Sequence, residues 1–74
     1  VIVPKEHICC ADKINSDNSY LIAKVFEAVA KISKQENLDN GYRVVNNCGE
    51  DACQSVKHIH FHVLGGKKLS ETMA

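Results

Sequence analysis

The sequence predicts one small α+β domain: a strand, one long helix, a second strand, a loop and a third strand, with an antiparallel pair among the strands. Three observations predict it. Leu21, Ile22, Val25, Phe26, Val29 and Ile32 recur at helical spacing. Tyr42-Arg43-Val44-Val45-Asn46 reads as a strand. In His58-Ile59-His60-Phe61-His62-Val63-Leu64, imidazoles alternate with apolar side chains at a spacing of two, the period of a strand.

Seventy-four residues allow one domain, residues 1–74, and a chain this short buries only about 60% of its unfolded surface. Nine Lys and Arg balance nine Asp and Glu, so no net charge draws the chain to nucleic acid or to an acidic membrane surface. No apolar run approaches the length of a transmembrane helix, and no signal-peptide pattern is present. The chain begins at Val1, without Met and already inside an apolar run. The expectation is a piece of a longer protein, one that needs a partner copy or a further segment to fold.

Val1-Ile2-Val3-Pro4 is a β-branched run stopped by proline, the end of a strand. Lys5-Glu6-His7 is a turn, and residues 8–14 carry no clear pattern. Asn15-Ser16-Asp17-Asn18 is a cluster of helix-capping residues. The helix is predicted over residues 18–36, with Glu27 and Lys31 as an i,i+4 pair and Lys31 and Lys34 near its negative end. Asn40-Gly41 closes this segment. Residues 42–46 form the second strand, 47–54 a polar loop and 56–64 the histidine strand, which Gly65-Gly66 ends. Residues 67–74 are a polar tail with little to bury. Of the four cysteines, Cys9 and Cys10 are adjacent, Cys48 and Cys53 share the loop, and no Cys-x-x-Cys is present. This pattern predicts free thiols in a reducing, cytoplasmic setting.

The histidine strand carries the chemistry. His58, His60 and His62 line one face, while Ile59, Phe61 and Val63 line the other. Burying three imidazoles structurally would require three sets of hydrogen-bond partners. A metal explains two of them: neighbours at i and i+2 lie ~6.6 Å apart, but His58 and His62 are ~13 Å apart along the strand. An extended anionic ligand explains all three. A neutral imidazole, with an ordinary pKa of about 6.5, is a competent nucleophile, and its neighbours can bind a phosphate whose charge shifts during displacement. Gly49 permits close backbone approach, and Gln54 and Ser55 stand just before the strand, so loop N–H groups could cradle an anion there.

Residues 58–64 resemble the motif of the histidine triad (HIT) family. The likeness extends to residues 1–8, Gly41-Tyr42-Arg43-Val44-Val45, Asn47, Gly49, Gln54-Ser55-Val56 and Val63-Leu64-Gly65-Gly66, which are similar to the purine nucleoside phosphoramidase branch. It covers residues 1 to about 66. The resemblance implies a HIT-like antiparallel sheet, and a homodimer that joins two such sheets near the long helix. It also implies a nucleotide-binding hydrolase or nucleotidyl transferase acting at the α-phosphate of adenosine phosphoramidates or aminoacyl adenylates. His60 would be the nucleophile forming a nucleotidyl-histidine, His62 would bind a phosphate oxygen, and His58 would orient the site. Ser55 would contact the phosphate and leaving group, with Asn47, Cys53 and Gln54 also at the purine nucleotide.

Three departures accompany the resemblance. Cys53 stands where the branch usually has glycine. The tail 66–74 lacks the aromatic and proline ending of many relatives. The family's N-terminal strands, with the base pocket, are not in this chain. In some relatives that half supplies a Cys-x-x-Cys that binds zinc together with histidines matching His7 and His58. These two imidazoles do not complete a tetrahedral site, so no metal or other cofactor is expected, and zinc bound through them would be weak. Two other readings stay open: a nucleotide-binding interaction protein with little turnover, and a zinc-binding variant.

Overall fold

The computed structural model describes residues 1–71. A 3₁₀ turn, Ala11–Lys13, leads to helix α1, Tyr20–Gln35; strand β1, Tyr42–Val45, and a second 3₁₀ turn, Glu50–Ala52, precede strand β2, His62–Gly65. The strands pair antiparallel, with Val44 opposite Val63 and Val45 opposite His62. The chain is α+β, with one long helix and an antiparallel sheet.

The helix starts and stops by backbone logic. Asn15 Oδ1 accepts the N–H groups of Asp17 at 2.8 Å and Asn18 at 3.2 Å, while Asn18 Oδ1 accepts the Asn15 N–H at 2.8 Å. The capping cluster thus acts a turn before Tyr20, and Ser19, already helical in its backbone, caps nothing with its side chain. The helix ends where the predicted range of 18–36 places it, with Gln35 its last residue and Glu36 its C-cap, and Asn37 closes it ahead of Asn40-Gly41. Asn37 adopts φ 56°, and the Leu38 N–H reaches back to the Ser33 carbonyl at 2.9 Å, a Schellman closure that asparagine tolerates. Gly41, at φ 113°, turns the chain into β1 instead. Leu38 then packs on Gly65, where an added Cβ would lie 3.1 Å from both Leu38 δ-carbons.

The core holds Ile8, Val25, Ile59 and Phe61, with Ile2, Ile14, Leu21, Ile22 and Val44 packed against it. Only the end of the expected 56–64 strand is ladder. β1 stops opposite His62, so upstream N–H groups find separate acceptors: Ile59 N–H donates to the Ile8 carbonyl at 2.6 Å and Phe61 N–H to the Ile2 carbonyl at 2.9 Å. The single Ile2–Phe61 bridge is likewise all that forms of the expected strand over residues 1–4. The face alternation survives without the ladder. Ile59 and Phe61 are buried, whereas His58, His60 and His62 are half-buried. After β2, Arg43 Nη2 donates to the Ser70 carbonyl, which ties the start of the tail to the sheet. Residues 72–74 of the predicted tail lie outside the described residues.

Candidate active site

Two of the three imidazoles, His58 and His60, are positioned by backbone carbonyls. His60 Nδ1 donates to the carbonyl of His58 at 2.8 Å. A carbonyl can only accept, so Nδ1 carries the proton, and the neutral ring keeps its lone pair on Nε2. From the other side, Asn46 Nδ2 donates to the His60 carbonyl at 2.9 Å, linking the residue after β1 to the middle of the triad. The His60 and His62 rings meet edge to face, centroids 5.2 Å apart. His58 faces elsewhere: its Nε2 donates to the Pro4 carbonyl at 2.9 Å, and its ring stands edge to face with His7 at 5.2 Å. Two imidazoles therefore form a pair, and the third contributes its backbone to them.

Gln54 organises the loop. It is the buried polar residue of the described structure, 7% exposed. Its Oε1 accepts the Gly49 N–H at 2.8 Å, and its Nε2 donates to the carbonyls of Cys9 at 2.7 Å and Val56 at 3.0 Å. Its own N–H donates to the Gly49 carbonyl at 3.0 Å. Its side chain and its backbone N–H are thus both committed to shaping the loop. Gly49 at φ 82° and Cys53 at φ 61° give the loop its left-handed corners. Asn47 is half-buried, and Cys53 and Ser55 are exposed. Among the described residues, no hydrogen bond joins Asn47, Cys53 or Ser55 to the imidazoles. At the entrance to α1, Tyr20 O–H donates to Glu6 Oε1 at 3.0 Å, and that bond and the carboxylate's charge raise the phenol's pKa.

A paired imidazole set with one ring's lone pair exposed by a backbone acceptor, beside a glycine-cornered loop, can attack an electrophile and bind an anion. The family model for the HIT domain matches residues 1–69. The chain belongs to the HIT family. An uncharacterized HIT-like protein of Buchnera aphidicola is 37% identical over 70 residues, covering 93% of this chain and 61% of that protein. A 14 kDa zinc-binding protein of Zea mays is 58% identical over 43 residues, 57% of this chain and 34% of that one. Among solved structures, a histidine triad protein from Clostridium difficile matches with a TM-score of 0.89 at 39% identity, covering 95% of this chain and 62% of that one. A HIT family hydrolase from Clostridium thermocellum matches at 0.92 with 34% identity, covering 97% of this chain and 64% of that chain. This HIT chain spans less than two thirds of the length of these relatives.

The zinc position implied by such relatives does not fit the residues here. His7 and His58 do approach each other, but His58 Nε2 is taken by Pro4, and no third His, Cys, Asp or Glu joins them among the described residues. Sequence reasoning missed Asn46 and the Pro4 carbonyl. Asn46 ends a β-branched run, and no spacing rule tells that its amide reaches a backbone fourteen residues on.

Proposed function

We propose that this HIT chain is the C-terminal, histidine-bearing part of a single HIT domain that hydrolyses or transfers nucleotidyl groups, with adenosine phosphoramidates or aminoacyl adenylates as substrates. The observation that carries the proposal is the His60 Nδ1 bond to the His58 carbonyl, which aims an unprotonated Nε2 away from the backbone. In the proposed reaction Nε2 attacks the α-phosphorus, an Nε2–P bond forms, and the P–N or P–O bond to the leaving group breaks. The leaving amine takes up a proton. Water then cleaves Nε2–P and releases the nucleoside monophosphate. His62, edge to face with His60, binds a phosphate oxygen and strengthens that contact as charge develops. Ser55 assists at the leaving group, and the loop from Cys53 to Ser55, shaped by the Cys53 and Gln54 N–H bonds to the Glu50 and Gly49 carbonyls, offers the Ser55 N–H to the phosphate beside Asn47.

Two relatives of known structure are described as HIT family hydrolases, which supports the reaction class. A homodimer joined near α1 belongs to the same proposal, supported by Phe26, which is 51% exposed on that helix. Rapid acid quench of the protein with an adenosine phosphoramidate, followed by mass-spectrometric mapping, tests the mechanism. A nucleotidyl adduct on His60 is expected; one on His58 or His62 overturns the assignment. Nucleotide binding with no amine release would favour an interaction protein instead.

A further inference from the structure

A second cluster of ligating side chains lies outside the triad. Sγ of Cys10, Sγ of Cys48 and a carboxylate oxygen of Asp12 all lie within 4.8 Å of one another. They come from two segments far apart in sequence: the first 3₁₀ turn with the residue before it, and the loop after β1. Both thiols are free and half-buried, and the carboxylate is exposed. We propose that Cys10, Cys48 and Asp12 form a site for a thiophilic divalent cation, with Zn²⁺ the ion that fits the donors.

The donor chemistry supports the ion. Two thiolates and a carboxylate make a three-ligand set of the kind that leaves a fourth tetrahedral position to water. With Zn–S near 2.3 Å, two tetrahedral thiolates sit roughly 3.8 Å apart, within the separation the cluster allows. Thiolate donors select zinc over magnesium or calcium, which prefer all-oxygen shells. Binding deprotonates both thiols, so two protons leave as one ion enters, and the loaded site carries one net negative charge.

The scaffold supports it independently. Gln54, buried between the segments, bonds the Cys9 carbonyl with Nε2 and the Gly49 N–H with Oε1. These are the neighbours of Cys10 and Cys48. One amide thus fixes the backbone beside each thiol before any ion arrives. Cys10 itself opens the 3₁₀ turn, its carbonyl accepting the Lys13 N–H at 3.0 Å, which holds Asp12 on the same turn. The ion would join the segment leading into α1 to the loop that runs from Asn47 to Ser55. The site differs from the pair His7 and His58 in every ligand.

Cobalt(II) titration of the reduced protein tests this, read by the thiolate-to-cobalt charge-transfer absorption and by zinc competition. One equivalent with a two-thiolate signature is expected. Loss of any outer support costs about 10–100-fold in metal affinity, so Cys10→Ser or Cys48→Ser should weaken binding by more than about 100-fold. Asp12→Asn, an exposed change that leaves the fold intact, should weaken binding while the absorption band persists at saturation. Cys9→Ser, Cys53→Ser and His58→Ala should leave the titration unchanged. Retention of the band in Cys48→Ser, or its loss in His58→Ala, overturns the site. So does formation of a Cys10–Cys48 disulfide without uptake of metal by the reduced form.

Discussion

Helix α1 and the loop between β1 and β2 are built by opposite means. The helix is held by its own backbone ladder and by burying Val25 and Val29, at 4% and 2% exposure. The loop has a 3₁₀ turn and little ladder. Its own polar side chains hold it, by bonds to near and distant backbone: Gln54 on Gly49, Cys9 and Val56, and Asn46 on His60. Apolar burial is non-directional and tolerates small shifts, whereas a hydrogen-bonded loop fixes atoms to a few tenths of an ångström. The helix therefore supplies stability, and the loop supplies geometry.

Substitutions at the triad sharpen that division most. His60→Ala should reduce phosphoramidate turnover by more than about 10³-fold, beyond the cost of one lost oxyanion donor, while nucleotide binding persists. His62→Ala should lose about 10²–10³-fold, the cost of such a donor. His58→Ala should lose least, because its contribution to His60 is a carbonyl that alanine retains. Steady-state kinetics with equilibrium nucleotide binding checks the order. Equal losses at His58 and His60 would break it.

The opposite pattern belongs to the helix. Val29→Ala opens a gap in a side chain that is 2% exposed and should cost about 1–3 kcal/mol of stability. Turnover per folded molecule should stay near the parent value. Urea unfolding beside kinetics at low denaturant separates the two, and a loss of turnover larger than the loss of folded protein would show that the helix shapes the site.

Gln54→Ala should fall on both sides of the division. It strands the Gly49 N–H and the Cys9 and Val56 carbonyls, and a buried unpaired group costs about 1–3 kcal/mol. Water entering the space left by the amide can satisfy some of them. We expect a stability loss near the lower end of that range, and a fall in turnover as the loop loses its shape. Crystallography of the variant would show whether Gly49 has moved.

What the sequence made legible follows the same line. The helix was readable because its signal is periodic and local: Leu21, Ile22, Val25 and Val29 repeat, and Asn15 to Asn18 announce its start. The face alternation of the histidine run was readable for the same reason. The extent of the strand was not. Period two predicts which way side chains point, but pairing depends on where β1 ends, and β1 ends opposite His62. The helix end near residue 36 was readable, but its closure by Asn37 was not, because asparagine in the left-handed region is a weaker signal than Asn40-Gly41. Gln54 and Asn46 were visible as polar residues near the site, but their partners lie up to 45 residues away, and composition carries no such information.

The smallest expected effect tests the loop's backbone alone. Cys53 sits at φ 61° and ψ 36°, the left-handed region, with an exposed side chain. The left-handed conformation costs a residue with a Cβ roughly 1–2 kcal/mol relative to glycine. Glycine in turn gives up about 0.4–1 kcal/mol through the greater freedom of its unfolded chain. The first quantity exceeds the second, so Cys53→Gly should stabilise the protein by about 0.5 kcal/mol. Cys53→Ala separates backbone from thiol: alanine keeps the Cβ and the strain, so it should be neutral within measurement. The paired denaturation midpoints decide it. If Cys53→Gly unfolds at lower denaturant than the parent, or if Cys53→Ala matches the glycine variant, the thiol and not the left-handed backbone sets the behaviour of this corner.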